Sequence, residues 1–579
     1  MEVRVLELDQ YQESAYRTTE KRVLVVAPPG SGKTTVMLRR LRHLLEGGVK
    51  AAEILVLTFS KASAVEMEER FRGERGEKPF FGTIHGLCYK LLREKRGNLA
   101  MIYGKEEYLL KGKIQKELKL DVEDTESILR DISRFKVWSH LQEGENNPTF
   151  KDELFRQAFA LYEKERMAKG LLDFDDLQIE VLKALENPGE LQRLQKRYTH
   201  LLIDEFQDLD PVQLKIIQVL SRGQSLFGVG DEDQCIYAFR GSDPRGMIDF
   251  EEMFSGKKLY LKYNYRSTEN IVNYAGEVIR FNALRNAKEL RASRKGTRKI
   301  TKIFPETQEL MLMDIAQEIR KGQFGSYAVV YRTNREGMRI KEYLRREGIR
   351  FSSRDRYNFF SSFMAQDLLD YLRAAYQNDR NAFLRIANKP FRYMTKEDMR
   401  RIRQGEDLAQ VLLDPEKNSY SILKNREFLK DLAGIKGKPT AKVVDYVARV
   451  LGYEEYLEAY AKRTGRDQED LLEDLEELKE VAALYDNPMD LLAASSETTS
   501  ETSENVLLST VHGVKGLEFD MVFVVNAVEG YMPHSASLSN LEEERRIFYV
   551  AITRAKEELH IYSPRFIHGK ERKRSRFVL

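Results

Sequence analysis

Along the first ninety residues, short unbroken apolar runs alternate with stretches whose apolar positions recur every three or four residues. Residues 22–27 (RVLVVA) and 54–59 (ILVLTF) are such runs, rich in β-branched side chains, and each predicts a strand buried on both faces. Helical patterns follow each of them, over 36–45 and from about 60 to 70. Strand–helix alternation of this kind predicts a parallel α/β sheet. From about 88 to 198 the pattern is almost wholly helical, as in LFRQAFALYEKERMAKG and LQIEVLKALE. Strand patterns return at 200–205 (HLLIDE) and 225–233 (SLFGVGDED). A second α/β signal begins near Leu259 and includes 327–333 (YAVVYRT). A second helical stretch follows over about 388–492, then a Ser/Thr/Glu segment at 494–505 that reads as a linker. Two more strand patterns, NVLLSTVH and DMVFVVNA, come after it. The order is α/β, helical insertion, α/β, and then the same again, with no short-period repeat and no evident identity between the halves.

Composition narrows the classes of function. With 42% hydrophobic and 32% charged residues in 579, the chain has the apolar material for several cores. Mean hydropathy is −0.52, and no stretch approaches the roughly 18–20 apolar residues of a membrane span. The first residues, MEVRVLELDQ, carry acids and no apolar signal core. Two cysteines, Cys88 and Cys235, are too few for a disulfide framework or a four-cysteine zinc site, and fit a reducing, cytoplasmic compartment. Net charge is only +3, but it is unevenly spread. Residues 285–302 hold eight basic side chains against one acid, 466–480 hold eight acids, and 570–576 is basic. Each such run reads first as a solvated face and second as a local field for a charged partner.

The chemistry-bearing signal begins at Ala27-Pro-Pro-Gly30-Ser31-Gly32-Lys33-Thr34, between a predicted strand and a predicted helix. That is the setting of a phosphate-binding loop, with Ala in place of the usual first glycine. Glycines let backbone N–H groups close on phosphate oxygens, and the helix N-terminus adds positive dipole. Lys33 is placed to neutralise β/γ-phosphate charge, and Thr34 to hold Mg²⁺. Asp204 and Glu205 end an apolar strand, where the carboxylates of such a sheet lie beside the phosphate loop. Asp204 is expected to bind Mg²⁺ and Glu205 to orient or deprotonate the attacking water. These elements predict a nucleotide hydrolase.

Further segments stand in order: IDEFQD (203–208), VGDEDQCIYAFRG (229–241), NYRS (264–267), TVHGVKGLEF (510–519) and YVAITRA (549–555). LDQYQ (8–12), LTFSKASAVEM (57–67), GTIHGLCYKLLR (82–93) and LDFDDL (172–177) accompany them. Together they resemble the UvrD/Rep/PcrA group of superfamily 1 DNA helicases over roughly residues 5–565. The resemblance implies two RecA-like P-loop parallel-sheet domains, each with an inserted, mostly helical subdomain. The implied boundaries are 1–87 and 199–270 for the first lobe and 88–198 for its insert. For the second lobe they are 271–387 and 506–579, with a reduced insert at 388–493 and the linker at 494–505.

It also implies residue roles. Gln12 reads the adenine edge, Tyr265 stacks on adenine, and Glu518 contacts the ribose. Gly30, Ser31, Gly32, Lys33, Thr34 and Thr35 form the phosphate loop. Gln207 and Gln234 sense the γ-phosphate, and Arg266 and Arg554 resemble two arginine fingers delivered from the far half of the chain. Phe59, Tyr237 and Phe239 match base-stacking positions, Phe239 standing where the family usually has Trp, with Arg240 beside them. Thr83, His85, Thr510 and His512 resemble positions that contact the nucleic-acid backbone. Neither histidine has Cys/His partners at metal-ligand spacing.

Departures are also legible. TFSKASA replaces the usual TFTNKAA, Thr35 stands where relatives often have Arg, and FFSSFMAQD (359–367) lacks the family's charged pattern. The second insert is short, which bears on duplex unwinding rather than on ATP-driven movement. No nuclease-like domain follows 555–566, which argues against a helicase–nuclease subunit. The leading expectation is a Mg-ATP-dependent single-strand DNA translocase and 3′-to-5′ helicase acting at single/double-strand junctions. The alternative is an ATPase subunit that moves DNA for a protein partner such as a nuclease or repair factor. A clamp with a dead ATPase is disfavoured, because the catalytic set is complete.

Overall fold

The computed structural model describes residues 8–579 apart from 72–77, 121, 142–151, 297–299, 355–359, 361, 393, 465–467, 497–502 and 504. Most of the linker expected at 494–505, and part of 359–367, therefore lie outside the described residues.

The first lobe is built on strands β1 (Arg22–Val26), β2 (Ile54–Thr58), β3 (Phe80–Thr83), β4 (His200–Ile203), β5 (Ser225–Gly230) and β6 (Lys257–Tyr260). They form one sheet in the order β3-β2-β4-β5-β1-β6, and every pair in it is parallel. The alternation of side chains explains why these strands read as unbroken apolar runs. Leu24, Val26, Leu55, Leu57, Leu201 and Ile203 enter the core on one face. Val23, Val25, Ile54, Val56, Leu202 and Phe227 enter a second core on the other. The strand containing Leu259 completes this first sheet by pairing with β1; it does not open the second, as the apolar pattern had implied.

The chain crosses to the second lobe through β7 (Tyr263–Thr268), which pairs with β8 (Arg291–Arg294) in a small parallel ribbon. The second sheet contains β9 (Thr301–Ile303), β10 (Tyr327–Tyr331), β11 (Ser352–Ser353), β12 (Val506–Thr510), β13 (Phe519–Val524) and β14 (Ala555–Tyr562). Its order is β11-β12-β10-β13-β14-β9, again parallel throughout. Its faces alternate in the same way, Ala328, Val330, Val522 and Val524 against Val329, Tyr331, Met521 and Phe523. A hairpin of β15 (Phe566–Ile567) and β16 (Lys570–Glu571) follows.

Two helical bodies are inserted. The first has its own core around Ile102, Ile114, Ile132, Phe155 and Tyr162. The second is a single core running from Phe360 to Leu492. Helix Phe363–Gln377 belongs to that core, so the second helical body begins near residue 360 rather than at 388. Its apolar stripe resembled that of a sheet-covering helix, and only the packing shows which body it serves. The basic 570–576 segment is followed by Phe577 and Val578, which are buried in the second lobe's core.

Candidate nucleotide cleft and strand groove

In a parallel sheet all strands end on the same edge, so the segments after β1, β2, β3, β4 and β5 converge there. These segments carry the phosphate loop, Phe59, Thr83–His85, Asp204–Glu205 and Asp231–Gln234. The second lobe presents its opposite edge. Glu518 immediately precedes β13 and Arg554 immediately precedes β14, and the Phe519 N–H donates to the Arg554 carbonyl at 2.9 Å. A cavity of about 670 Å³ separates the two edges, lined by Gly30, Gly32, Lys33, Thr34, Thr35, Asp204, Glu205, Gln234, Tyr265, Arg266, Glu518 and Arg554 among others.

The phosphate loop needs its glycines for two reasons. Gly30 and Gly32 have φ of +71° and +84°, a region that costs side-chain-bearing residues. A Cβ on Gly30 would also lie 2.6 Å from Arg266 Cβ, and one on Gly32 would lie 2.7 Å from Gln12 Nε2. Gly32 caps helix Lys33–Glu46, which therefore starts three residues earlier than its apolar pattern predicts and aims its N-terminus into the cavity. Ser31 is buried, its hydroxyl donating to the Pro28 carbonyl at 2.7 Å. Asn264, to which sequence reasoning assigned no role, ties the lobes together. Its amide donates to the Pro29 carbonyl at 2.8 Å and accepts from the Arg266 and Ser267 N–H groups at 2.9 and 2.8 Å.

Acids and bases face each other across the cavity. Lys33 Nζ lies 3.9 Å from Glu205 Oε2. Glu205 adopts a left-handed backbone, φ +49°, an uncommon state for a non-glycine residue that clusters at functional sites. Burial would raise its pKa, but Lys33 and Lys515 outweigh burial and hold it low. Asp204 next to it goes the other way. Burial, and then the charge of Glu205, push it up to about 7, and its buried Oδ1 has no partner. Arg266 donates to Glu518 at 2.7 Å. Arg554 is 1% exposed and donates to Gln234 Oε1 at 3.0 Å and to the Val550 carbonyl at 3.0 Å. Burial, and then Arg266, push the Arg554 pKa down to about 9. The guanidiniums of Arg266 and Arg554, with Arg70 and the Lys33 ammonium, line this cavity, and the burial of Arg554 calls for an anion there.

Some expected residues sit one layer back. Gln12 donates to the Ser31 carbonyl at 2.9 Å and accepts from the Asp9 N–H at 3.2 Å, bracing the loop from behind. Gln207 is buried, accepts from the Asp231 N–H at 3.0 Å and donates to Glu205 Oε2 at 2.6 Å, so here it orients the carboxylate. Tyr265 is 41% exposed on the cavity wall, its hydroxyl donating to Asp9 at 2.6 Å.

A groove of about 760 Å³ runs over the other side of the same turns, between the first lobe and its helical insert. Its lining includes Thr83, His85, Trp138, Phe174, Phe239 and Arg240. Phe59 and Tyr237 were both expected to stack on bases, but they stack on each other, 4.9 Å apart at 20°. Phe239 is the ring left open, 40% exposed, edge-on to His512 at 5.6 Å. The Arg240 guanidinium sits 5.6–5.9 Å from the Phe59, Tyr237 and Phe239 rings. Thr83 and Thr510 each cap a short Thr-X-His-Gly turn, accepting from Gly86 N–H at 3.0 Å and Gly513 N–H at 3.3 Å. His85 pairs with the Gln178 amide at 2.7 Å, and His512 donates to the Ile236 carbonyl at 3.1 Å. Burial above all pushes both histidines down to about 4, so both are neutral at pH 7.

Two buried lysines escaped the sequence reading. Lys515 donates to both Asp208 oxygens at 2.7 and 2.6 Å and to the Gln234 carbonyl at 2.8 Å, reaching from the second lobe into the first. Lys288 belongs to the basic run read as a solvated face. It is instead buried among Asp231, Glu232 and Asp233, whose side chains are fully buried. Its ammonium fills the place that three clustered carboxylates would otherwise offer a cation. The only sequence signal was a lone acidic triplet, DED, with no basic neighbour in the chain.

Comparison with known proteins gives concordant matches. The UvrD/REP helicase N-terminal domain matches residues 8–255, and the UvrD-like helicase C-terminal domain matches residues 259–564. The chain is 32% identical to the putative ATP-dependent DNA helicase YjcD of Bacillus subtilis, covering 99% of this chain and 80% of that protein. It is 29% identical to the ATP-dependent DNA helicase PcrA of Staphylococcus epidermidis, covering 97% and 84%. Against PcrA of Staphylococcus aureus the figures are 28%, 95% and 82%.

Proposed function

The chain belongs to the UvrD/REP helicase family, and on that premise we propose that it is an ATP-dependent DNA helicase whose lobes close on ATP while moving 3′-to-5′ along a single strand. The observation that carries this reading is the convergence of Lys33, Arg266 and Arg554 from two lobes on one cavity floored by a glycine loop and a helix N-terminus. A triphosphate there receives cations from both sides. Hydrolysis removes the group that holds the lobes together, which makes closure depend on the nucleotide. Lys33 neutralises the phosphates, Arg266 and Arg554 stabilise charge that grows in the transition state, and Glu205 orients the attacking water. Gln234 accepts from Arg554 and lines the same cavity, which supports a role for it in sensing the γ-phosphate.

The donor set also fits Mg²⁺. Asp204, whose buried Oδ1 has no hydrogen-bond partner, lines the cavity together with Thr34, and these two residues would hold the ion. When bound, it would supply charge neutralisation to the phosphates.

In the groove, Phe239 and Arg240 offer a π face and a cation to single-stranded DNA, and Thr83 and Thr510 sit at turns where backbone phosphates pass. The partners proposed are single strands and single/double-strand junctions, together with a nuclease or repair factor where the short second insert limits unwinding. The two cysteines are free and buried, which suits a cytoplasmic setting. Among the described residues no helix is long and apolar enough to cross a membrane.

Strand displacement tests the proposal. Purified protein with ATP and Mg²⁺ is expected to separate 3′-tailed duplexes and to leave 5′-tailed ones paired. Preference for the 5′ tail overturns the polarity, and absence of DNA-stimulated hydrolysis overturns the activity. A point variant tests the groove. Phe239→Ala is expected to weaken single-strand binding by about 1–3 kcal/mol, with the melting temperature nearly unchanged because the ring is already 40% exposed. Fluorescence anisotropy and a thermal melt on one preparation check both. A large fall in melting temperature with unchanged DNA affinity would remove Phe239 from the groove's function.

A further inference from the structure

The second helical body meets its parent lobe along a charged seam that shares no residue with the lining of the nucleotide cavity. Helix Gln468–Ala482 contributes acids from the run at 466–480, which is not a solvated face after all. Asp474 pairs with Arg335 at 2.7 Å, Glu473 with Arg572 at 2.9 Å, and Glu480 with Arg339. Arg335 and Arg339 lie on helix Asn334–Arg346 of the second lobe, and Arg572 follows the β15–β16 hairpin.

His568 stands at the centre. Its Nε2 lies 3.3 Å from Glu477 Oε2 and its Nδ1 lies 3.0 Å from Glu480 Oε1, with the ring only 5% exposed and Glu477 4%. The backbone delivers it at some cost. His568 and Gly569 are the two turn residues of the hairpin, both with positive φ, +52° and +69°. Gly or Asn is commonest at such a position, and histidine is among the other residues that adopt it. A neutral imidazole has one N–H and one lone pair, so it satisfies one of these carboxylates and repels the other. An imidazolium is attracted to both, each ring nitrogen lying within ion-pair distance of a carboxylate. Both ring nitrogens face carboxylates, and Arg339 pairs with Glu480, so the geometry suits a proton better than a metal ion.

We propose that this seam is a proton-operated latch: protonated His568, clamped between Glu477 and Glu480, fastens the second helical body to the second lobe and releases it as pH rises. The other charged and titratable groups facing the site are Arg339, Arg335 and Arg572 from the lobe, Glu473 and Asp474 from the helix, and Tyr531 beneath Arg572. The arginines and Tyr531 do not change charge between pH 5 and 8.

The sign follows from the shifts. Burial would lower the His568 pKa, but Glu480 and Glu477 outweigh it and raise it. Burial pushes Glu477 up to about 7, against the pull of His568 and Arg339. In the closed seam His568 and Glu477 act as one coupled pair that binds protons more tightly than when exposed near neutrality. Their contribution is therefore present in mild acid and lost as pH rises through about 7 and above. Glu480 goes the opposite way. Burial would raise it, but His568 and Arg339 hold it low, so it stays ionised in mild acid.

Hydrogen–deuterium exchange on the full chain tests the latch. After correction for the intrinsic pH dependence of exchange, amides of Gln468–Ala482 and of the hairpin are expected to lose at least tenfold protection between pH 6 and pH 8.5. In His568→Gln the protection is expected to be low at both values, with no step. Should that variant fold poorly, Glu480→Gln serves in its place, and its step is expected at lower pH because one carboxylate no longer favours the imidazolium. His560→Gln, a buried histidine elsewhere in the second lobe, is expected to keep the step. Absence of a step in the wild type, its survival in His568→Gln, or an unmoved step in Glu480→Gln overturns the proposal. None of these outcomes depends on ATP or DNA, so the latch and the helicase reading fail separately.

Discussion

Arg554→Ala is expected to lower DNA-stimulated ATP turnover by about 10³–10⁵-fold, the range for an arginine finger, with much less effect on nucleotide affinity. The reason is where charge grows. In the ground state Lys33, the glycine loop and the helix N-terminus already meet the phosphates, and Arg554 bonds Gln234 and the Val550 carbonyl. Its guanidinium gains most when negative charge spreads toward it during transfer, so its loss appears in kcat. Burial and Arg266 leave the charge short of a counter-ion, which adds to what a developing anion gains there. Arg554→Lys retains a cation but loses the fork that spans Gln234 and Val550, and is expected to recover little of the rate. Single-turnover kinetics and binding of a non-hydrolysable ATP analogue should be measured on the same protein. A large loss of affinity with kcat intact would make Arg554 a ground-state binding residue.

Lys288→Met is expected to be the most damaging change outside the cleft, destabilising by about 3–5 kcal/mol, as when one partner of a buried ion pair is removed. Lys288 lies 2.9 Å from Glu232 and 2.8 Å from Asp233, and also bonds Asp231. The methionine fills the space but leaves three buried carboxylates with Arg285, paired to Asp233 at 2.8 Å, and the charge of Lys33 to balance them. The effect also has a pH signature. Burial would raise the Asp231 pKa, but Lys288 and Lys33 outweigh it and hold it low, so in the wild type its contribution is present above its ordinary value and lost in acid. In the variant the carboxylates resist ionisation, so the stability gap should widen as pH rises from about 4 to 7. Denaturant midpoints at several pH values check this, the first unfolding transition being the one to follow. A gap that stays constant or narrows toward neutrality would mean that Lys288 contributes packing rather than charge. Because the triplet leads directly into Gln234, the variant should lose ATPase activity in parallel with stability.

The centres of the two sheets were legible because strands such as β1, β2, β10 and β13 are buried on both faces, which leaves an apolar run that no amphipathic helix produces. The apolar pattern near Leu259 read as the start of a second α/β signal, while the implied boundary at 270 kept that strand in the first lobe; hydrophobicity marks burial without naming the partner, and only the register of β6 against β1 decides that. Helix Phe363–Gln377 was misplaced for the same reason, since an apolar stripe fits a helical core and a sheet face equally well.

At the site, sequence alone determined what depends on local chemistry. A glycine loop between strand and helix needs positive φ at fixed positions, and a strand-ending carboxylate pair needs only the sheet's edge, so Gly30, Gly32, Lys33, Asp204 and Glu205 could be named from spacing. Tertiary structure decided everything that depends on which side chains meet across long sequence separations. It placed Gln207 against Glu205 and Gln12 behind the loop, one layer from where a ligand would lie. It closed Phe59 and Tyr237 on each other and left Phe239 open. It turned charges read as surface features into buried pairs, through Lys288 of the 285–302 run and Glu477 of the 466–480 run. Charge in a sequence carries a sign but no dielectric. Whether a lysine is a solvated tail or a buried cation among three carboxylates is set by the burial that folding imposes, and that burial is a property of contacts between residues far apart in the chain.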